Sequence, residues 1–166
     1  MKPADAYEDA VDLLDADHKA VKKLFIDFNA LCDDGAPPDA LRRIADKICQ
    51  ELLIHAQIEE EIFYPAVSEG TGDQPLIDEA LEEHAQAKQT IEKIQAMDES
   101  DAGFAETVRL LGELIDAHVM EEREQVFLEA RQSPVDLRGL AVRLFERKKA
   151  LKAATSTTAK KKKVAA

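Results

Sequence analysis

Apolar residues recur at alternating spacings of three and four along most of the chain, the period of helices with one buried face. Leu14, His18, Val21, Phe25 and Phe28 trace such a stripe in a segment from about Tyr7 to Cys32. The run Asp33-Asp34-Gly35-Ala36-Pro37 interrupts it, and Pro38 suits the first turn of a second helix, where a missing N–H is harmless. That helix extends to about Tyr64, with Leu41, Ile44, Ile48, Leu52, His55, Glu59 and Ile62 on one side. A second break, Glu69-Gly70-Thr71-Gly72-Asp73-Gln74-Pro75, leads into a third helix ending near Met97, with the stripe Ile77, Leu81, His84, Ala87, Ile91 and Ile94. Asp98-Glu99-Ser100-Asp101 supplies N-cap candidates for a fourth. This one reaches about Arg131 and aligns Phe104, Val108, Leu111, Ile115, His118, Glu122 and Val126. Ser133-Pro134 opens a shorter fifth, with Leu137, Leu140, Leu144 and Leu151 apolar.

Four long helices joined by short breaks predict an all-α fold, an up-down-up-down four-helix bundle over residues 1–132. Residues 133–152 then form a short C-terminal helix packing on or extending the bundle. Residues 153–166, ending in Lys160 to Lys163, form a low-complexity Lys-rich tail expected to be disordered.

The chemistry lies on the stripes. All four histidines sit mid-helix, and His55 and His118 are each followed four residues later by a glutamate, Glu59 and Glu122. An i, i+4 pair shares one helix face, so each His-x-x-x-Glu offers a nitrogen and a carboxylate to the same region. With about 14 residues from His18 to the end of its helix and about 16 to 21 from the next helix start to His55 and Glu59, a rise of about 1.5 Å per residue puts these stations within about 10 Å along the axis. The second hairpin, with His84, His118 and Glu122, gives nearly the same answer. The halves also read as weak copies, with counterparts offset by 66 residues (His18 to His84) and 63 (His55 to His118, Glu59 to Glu122).

A lone histidine on an apolar stripe is ordinarily a hydrogen-bonded core residue. Four at one level, with two glutamates whose burial as bare anions is costly, are better explained by a buried pair of cations. Imidazole and carboxylate without thiolate suit iron or manganese, with zinc possible. The Glu-x-x-His order of ferritin-like di-iron sites is absent. Asp15, Asp17, Glu51 and Glu83 are candidates to accept from histidine N–H groups, and spacing does not choose among them. Glu60, Glu61 and Glu121 are expected to face solvent. Tyr64 is expected at the bundle end with its hydroxyl solvated, a seventh ligand or redox-active neighbour being the alternative. Lys88, four residues after His84, is the one cation expected on these faces.

Composition narrows the partners. Net charge is −12, divided between −19 over residues 1–145 (14 basic, 33 acidic) and +7 over 146–166 (eight basic, one acidic). An acid-rich body repels phosphates, so nucleic acid is an unlikely partner, a weak contact through the basic tail being the exception. No apolar run is long enough for a membrane span and residues 1–10 lack a signal-like stretch, so a cytoplasmic protein is expected. Cys32 and Cys49 match no metal or redox spacing and are expected to be small buried residues.

The pattern His18 … His55-x-x-x-Glu59 … His84 … His118-x-x-x-Glu122 resembles the hemerythrin-like HHE cation-binding family over roughly residues 8–131. Asp17-His18, Glu59-Glu60 before Phe63-Tyr64-Pro65, and Leu144-Phe145-Glu146-Arg147-Lys148 are similar to bacterial members. The resemblance implies two non-haem iron ions (Fe2+/Fe3+) with a bridging oxo or hydroxo, terminal His18, His55, His84 and His118, and bridging Glu59 and Glu122. Oxygen-carrying members add a histidine where this chain has Lys88 and close on His-x-x-x-x-Asp, where it has Glu122 and then Arg123. Two His per iron would leave both metals open. That favours binding or reaction of dioxygen, peroxide or nitric oxide over reversible oxygen carriage. Catalase-like turnover of peroxide and iron buffering are the alternatives, and the oligomeric state stays open.

Overall fold

In a computed structural model that describes residues 6–165, each helix end has a local cause. Residues 1–5 and 166, parts of the expected bundle and tail segments, lie outside the described residues. Helix α1 (Ala10–Asp33) starts where the Asp9 carboxylate accepts the backbone N–H of Asp12 at 2.9 Å, a donor the first turn leaves free. Gly35, at φ 67°, turns the chain. Helix α2 (Pro38–Ile58) begins on Pro38 but does not stop at Tyr64. A π turn (Glu59–Phe63) and helix α3 (Tyr64–Thr71) continue the same rod until Gly72 ends it in a left-handed conformation at φ 75°.

The second hairpin repeats the first. Asp73 caps helix α4 (Gln74–Ala96), accepting from the Leu76 N–H at 3.1 Å. Helix α5 (Phe104–Glu121) starts after Gly103, not at the acidic segment proposed as its cap. Asp98 instead accepts from the Ser100 N–H at 2.8 Å and closes a turn of its own. A second π turn (Glu122–Val126) and helix α6 (Phe127–Gln132) prolong α5 into the fourth rod. Rods α1 and α2 pair, as do α4 and α5, and α1–α5 and α2–α4 contacts close the bundle.

The C-terminal segment departs from expectation. Helix α7 (Leu137–Ala165) follows the bundle and packs on α1 and α2, but it also runs through the lysines expected to be disordered. Ala, Leu, Lys and Arg dominate it, no Gly or Pro follows Gly139, and these preferences sustain the helix without packing. Side chains 153–165 are exposed apart from half-buried Thr155. Another correction concerns Leu81, which is exposed. The run 77, 80, 84, 87, 91, 94 puts Ala80 on the buried face instead. Cys32 is half-buried, Cys49 buried, and both thiols are free.

Two apolar clusters make the interior. One holds Leu14, Ile58, Phe63, Ala80, Val126 and Leu144, and the other Val21, Leu52, Ala87, Ile91, Phe104 and Leu111. On each of the four rods the histidine lies between a residue of the first and a residue of the second. The histidines and glutamates therefore form a polar layer through the middle of the bundle. Among the described residues, no helix is long and apolar enough to cross a membrane.

Candidate metal centre

The structure brings all six predicted residues to one level. His18, His55, Glu59, His84, His118 and Glu122 are each no more than 7% exposed. His18 Nε2 and His55 Nε2 stand 3.1 Å apart, His84 Nε2 and His118 Nε2 3.2 Å. Both ring pairs meet edge to face at 4.8 Å and 63°, so the weak sequence copy appears as a geometric one. Each glutamate spans the two pairs. Glu59 puts one oxygen 3.0 Å from His55 Nε2 and the other 3.2 Å from His84 Nε2. Glu122 places Oε2 3.1 Å from His18 Nε2 and 3.5 Å from His118 Nε2.

Three imidazoles are fixed from behind. His55 Nδ1 faces Asp17 at 3.1 Å, His84 Nδ1 faces Glu60 at 2.8 Å, and His118 Nδ1 faces Glu83 at 2.5 Å. A carboxylate there keeps the proton on Nδ1 and leaves the Nε2 lone pair pointing inward. The layer therefore aims lone pairs and carboxylate oxygens at one another, which is unfavourable unless positive charge sits among them. In the metal-free chain, protons on His55 and His84 supply part of that charge. Burial works against a charged His55, but the Glu59 carboxylate and the hydrogen bond to Asp17 outweigh it, holding the ring's pKa well above the ordinary histidine value. Burial likewise opposes charge on His84, yet its bonds to Glu59 and Glu60 raise it to about 9. Glu59, despite burial, is held well below the usual carboxylate range by His55 and His84.

The directions of approach fit a cation better than protons as the source of charge. Glu59 Oε1, Glu122 Oε2 and His18 Nδ1 are buried with no hydrogen-bond partner, though the first two oxygens lie close to imidazole nitrogens. Ligand atoms this close that do not align as hydrogen bonds have the spacing of neighbours around a cation. Two ligands about 2.1 Å from one cation and at right angles are about 3 Å apart, the spacing seen here. The donor atoms of His18, His55, Glu59 and Glu122 lie within 4.8 Å of one another, as do those of Glu59, His84 and His118. The residues fit a pair of cations.

Several neighbours differ from expectation. Glu60 is turned inward to His84 and also takes the Lys88 ammonium, at 2.8 Å to each oxygen. Tyr64 is 1% exposed, and its hydroxyl lies 3.1 Å from Glu122 Oε1 and 3.3 Å from Glu59 Oε2. Its counterpart in the other half, Phe127, stacks on His18 at 5.7 Å. Of the four proposed acceptors, Asp17 and Glu83 are used. Asp15 stays 4.0 Å from His18 Nδ1 and pairs with Lys19 and Arg123, while Glu51 pairs with Lys152. Glu61 stays at the surface with Arg147, and Glu121 is exposed. Both π turns begin on a glutamate of the layer, a local widening that heptad-like spacing does not reveal. Against the four histidines lies a cavity of about 30 Å³, walled by Val21, Leu52, Ala56, Ala87, Ile91 and Ile115.

Comparison with known proteins agrees with this geometry. Residues 9–130 match the family model of the Hemerythrin HHE cation binding domain. A protein of Nostoc sp. (strain PCC 7120 / SAG 25.82 / UTEX 2576) named DNA nickase is 30% identical over 124 residues, 74% of this chain but 33% of that protein. The chain thus spans about a third of that relative's length. The crystal structure of a Hemerythrin HHE cation binding domain-containing protein from Mycobacterium kansasii superposes with a TM-score of 0.72 at 22% identity, covering 88% of each chain.

Proposed function

Since the chain belongs to the hemerythrin HHE cation-binding domain family, we propose that it is a non-haem di-iron protein that binds or reacts with dioxygen, peroxide or nitric oxide. His18, His55, His84 and His118 are the terminal ligands in this reading and Glu59 and Glu122 the bridges, around two iron ions joined by an oxo or hydroxo group. When bound, the metal pair supplies electrons and open coordination positions to a small ligand. The observation that carries the reading is the layer of inward lone pairs and unpartnered buried carboxylate oxygens, which positive charge must fill.

The chain's own residues do the rest. Asp17, Glu60 and Glu83 hold three ring protons outward, which orients the inward nitrogens. The cavity beside the histidines has room for about two water-sized groups, which fits a diatomic or peroxide. Its aliphatic walls favour weakly hydrated molecules. Tyr64 points a phenolic hydroxyl at both glutamates, where it can donate a proton or serve as a seventh ligand. The nickase activity in the Nostoc relative's name is not carried over. The shared segment is a third of that protein, and the acid-rich body here opposes a phosphate backbone.

Metal analysis and an absorption spectrum of protein from iron-replete cells test the reading. We expect about two irons per chain with an oxo-bridged charge-transfer band, and loss of both in Glu59→Ala. Iron below about one per chain with no such band, or stoichiometric zinc, would overturn it. Sustained peroxide turnover would mark an enzyme, and a single equivalent of adduct a binder or sensor.

A further inference from the structure

The matched family segment stops at residue 130, yet α7 reaches the centre. Lys148 is the one lysine or arginine among the described residues that is buried, at 7% exposure. Its ammonium donates to Asp17 Oδ1, while Asp17 Oδ2 accepts from His55 Nδ1 at 3.1 Å. One carboxylate thus joins the C-terminal helix to an imidazole of the polar layer. Leu140, Leu144 and Phe145 bury the same face of α7 before Lys148 and half-buried Leu151 packs after it, so Lys148 is held from both sides along the helix.

The other three imidazoles lack this arrangement. Lys88 backs Glu60 behind His84, but it is 38% exposed at its side chain and weakened by water. Glu83 behind His118 has no lysine or arginine bridge among the described residues. His18 Nδ1 has no partner. A charge nine-tenths shielded from solvent acts more strongly and in a more fixed direction than one at the surface.

We propose that Lys148 is a positioning residue of the metal centre: by fixing Asp17 it sets the orientation of His55, so α7 governs the hold on the metal of the His18/His55 side. This rests on the di-iron reading. The proposal makes the two metals unequal, although the ligands are nearly symmetric. Removing a residue that orients a metal ligand typically weakens metal binding by about 10–100-fold, and Lys148 stands one contact further out, so an effect of about 3–10-fold is expected.

The test uses Lys148→Met, which keeps the stem and loses the charge, with Lys148→Arg as the rescue. Lys152→Met, which breaks the α7 pair with Glu51, is the control for simple helix docking. In iron-loaded protein, release to a chelator should become about 3–10-fold faster for one of the two irons in Lys148→Met, with arginine restoring the slow rate and Lys152→Met unchanged. Unchanged rates, or equal changes in Lys148→Met and Lys152→Met, would overturn the proposal. Metal-free protein gives a second readout that does not need the di-iron reading. The slowly exchanging Nδ1–H resonance of His55 should broaden or vanish in Lys148→Met while that of His118 persists. If wild-type protein binds no iron pair, the di-iron reading fails. The His55 resonance then decides whether Lys148 positions the ring, and its persistence in Lys148→Met would overturn that too.

Discussion

Tyr64 and Phe127 stand 63 residues apart, the offset that also relates His55 to His118 and Glu59 to Glu122, so one position in two near-copies carries a phenol and a phenyl. Only the phenol touches the glutamates. Burial, then the Glu122 and Glu59 charges, push its pKa well above the ordinary value, so in the metal-free chain it is a donor. Tyr64→Phe keeps the ring and removes that donor, a change the Phe127 site already accommodates. We expect iron content to persist, the absorption spectrum to change, and the metal-free protein to lose about 1–3 kcal/mol in a denaturant melt. An unchanged spectrum would separate Tyr64 from the centre. The sequence offered Tyr64 at the centre only as the alternative reading and put Glu60 at the surface, for one reason. Both follow Glu59 through the π turn, where α-helical angles do not say which way a side chain faces. His18, His55, His84 and His118 were legible because they sit on regular stretches. Cys49 gives a pH test: burial raises its thiol to about 11 against 9.0 in the unfolded chain. Its contribution to stability is therefore complete below about pH 9 and fades as pH rises toward 11. A disulfide-exchange reagent at pH 8 should label Cys49 only on unfolding, and fast labelling in native protein would contradict its burial.

At the scale of elements, the contact of α3 with the turn before α7 is tight. A Cβ added at Gly70 would collide with the Val135 side chain, whose branching at Cβ restricts how it can turn away. Alanine normally stabilises a helix interior by nearly 1 kcal/mol over glycine. Here Gly70→Ala is expected to destabilise by about 1–3 kcal/mol, read from the melting temperature, and Val135→Ala in the same chain should recover part of it. A stabilised single variant would show that the turn gives way. The stripes announced four rods because amphipathic packing writes a period into the sequence. Helix α7 beyond residue 152 was missed because its described side chains, Thr155 apart, are exposed, and only propensity marks it as helical. Ending the chain after Lys152 should change bundle stability by less than about 0.5 kcal/mol while far-UV helicity falls.

Taken whole, the molecule holds two apolar clusters apart with a layer of six titratable side chains, at least one from each rod. Such a layer is a weak plane unless positive charge unites it. A cation pair held there by His18, His55, His84 and His118 would draw on α1, α2, α4 and α5 at once, and it would bind the folded chain alone because the unfolded chain does not assemble the ligands. Its removal should therefore lower stability by mass action, by about 2.7 kcal/mol where free metal had stood at 100 times its dissociation constant. For a chain of this size that is roughly 5–10 °C of melting temperature. The loss should also have a shape. Amide exchange around His18, His55, His84 and His118 should rise together in the chelated protein, while the cluster of Phe28, Ile48, Ile94 and Phe104, away from the layer, stays protected. Exchange that rises in one rod only, or a melting temperature indifferent to chelation, would mean that the layer is neutralised by its own protons and that metal plays no part in holding the four rods together.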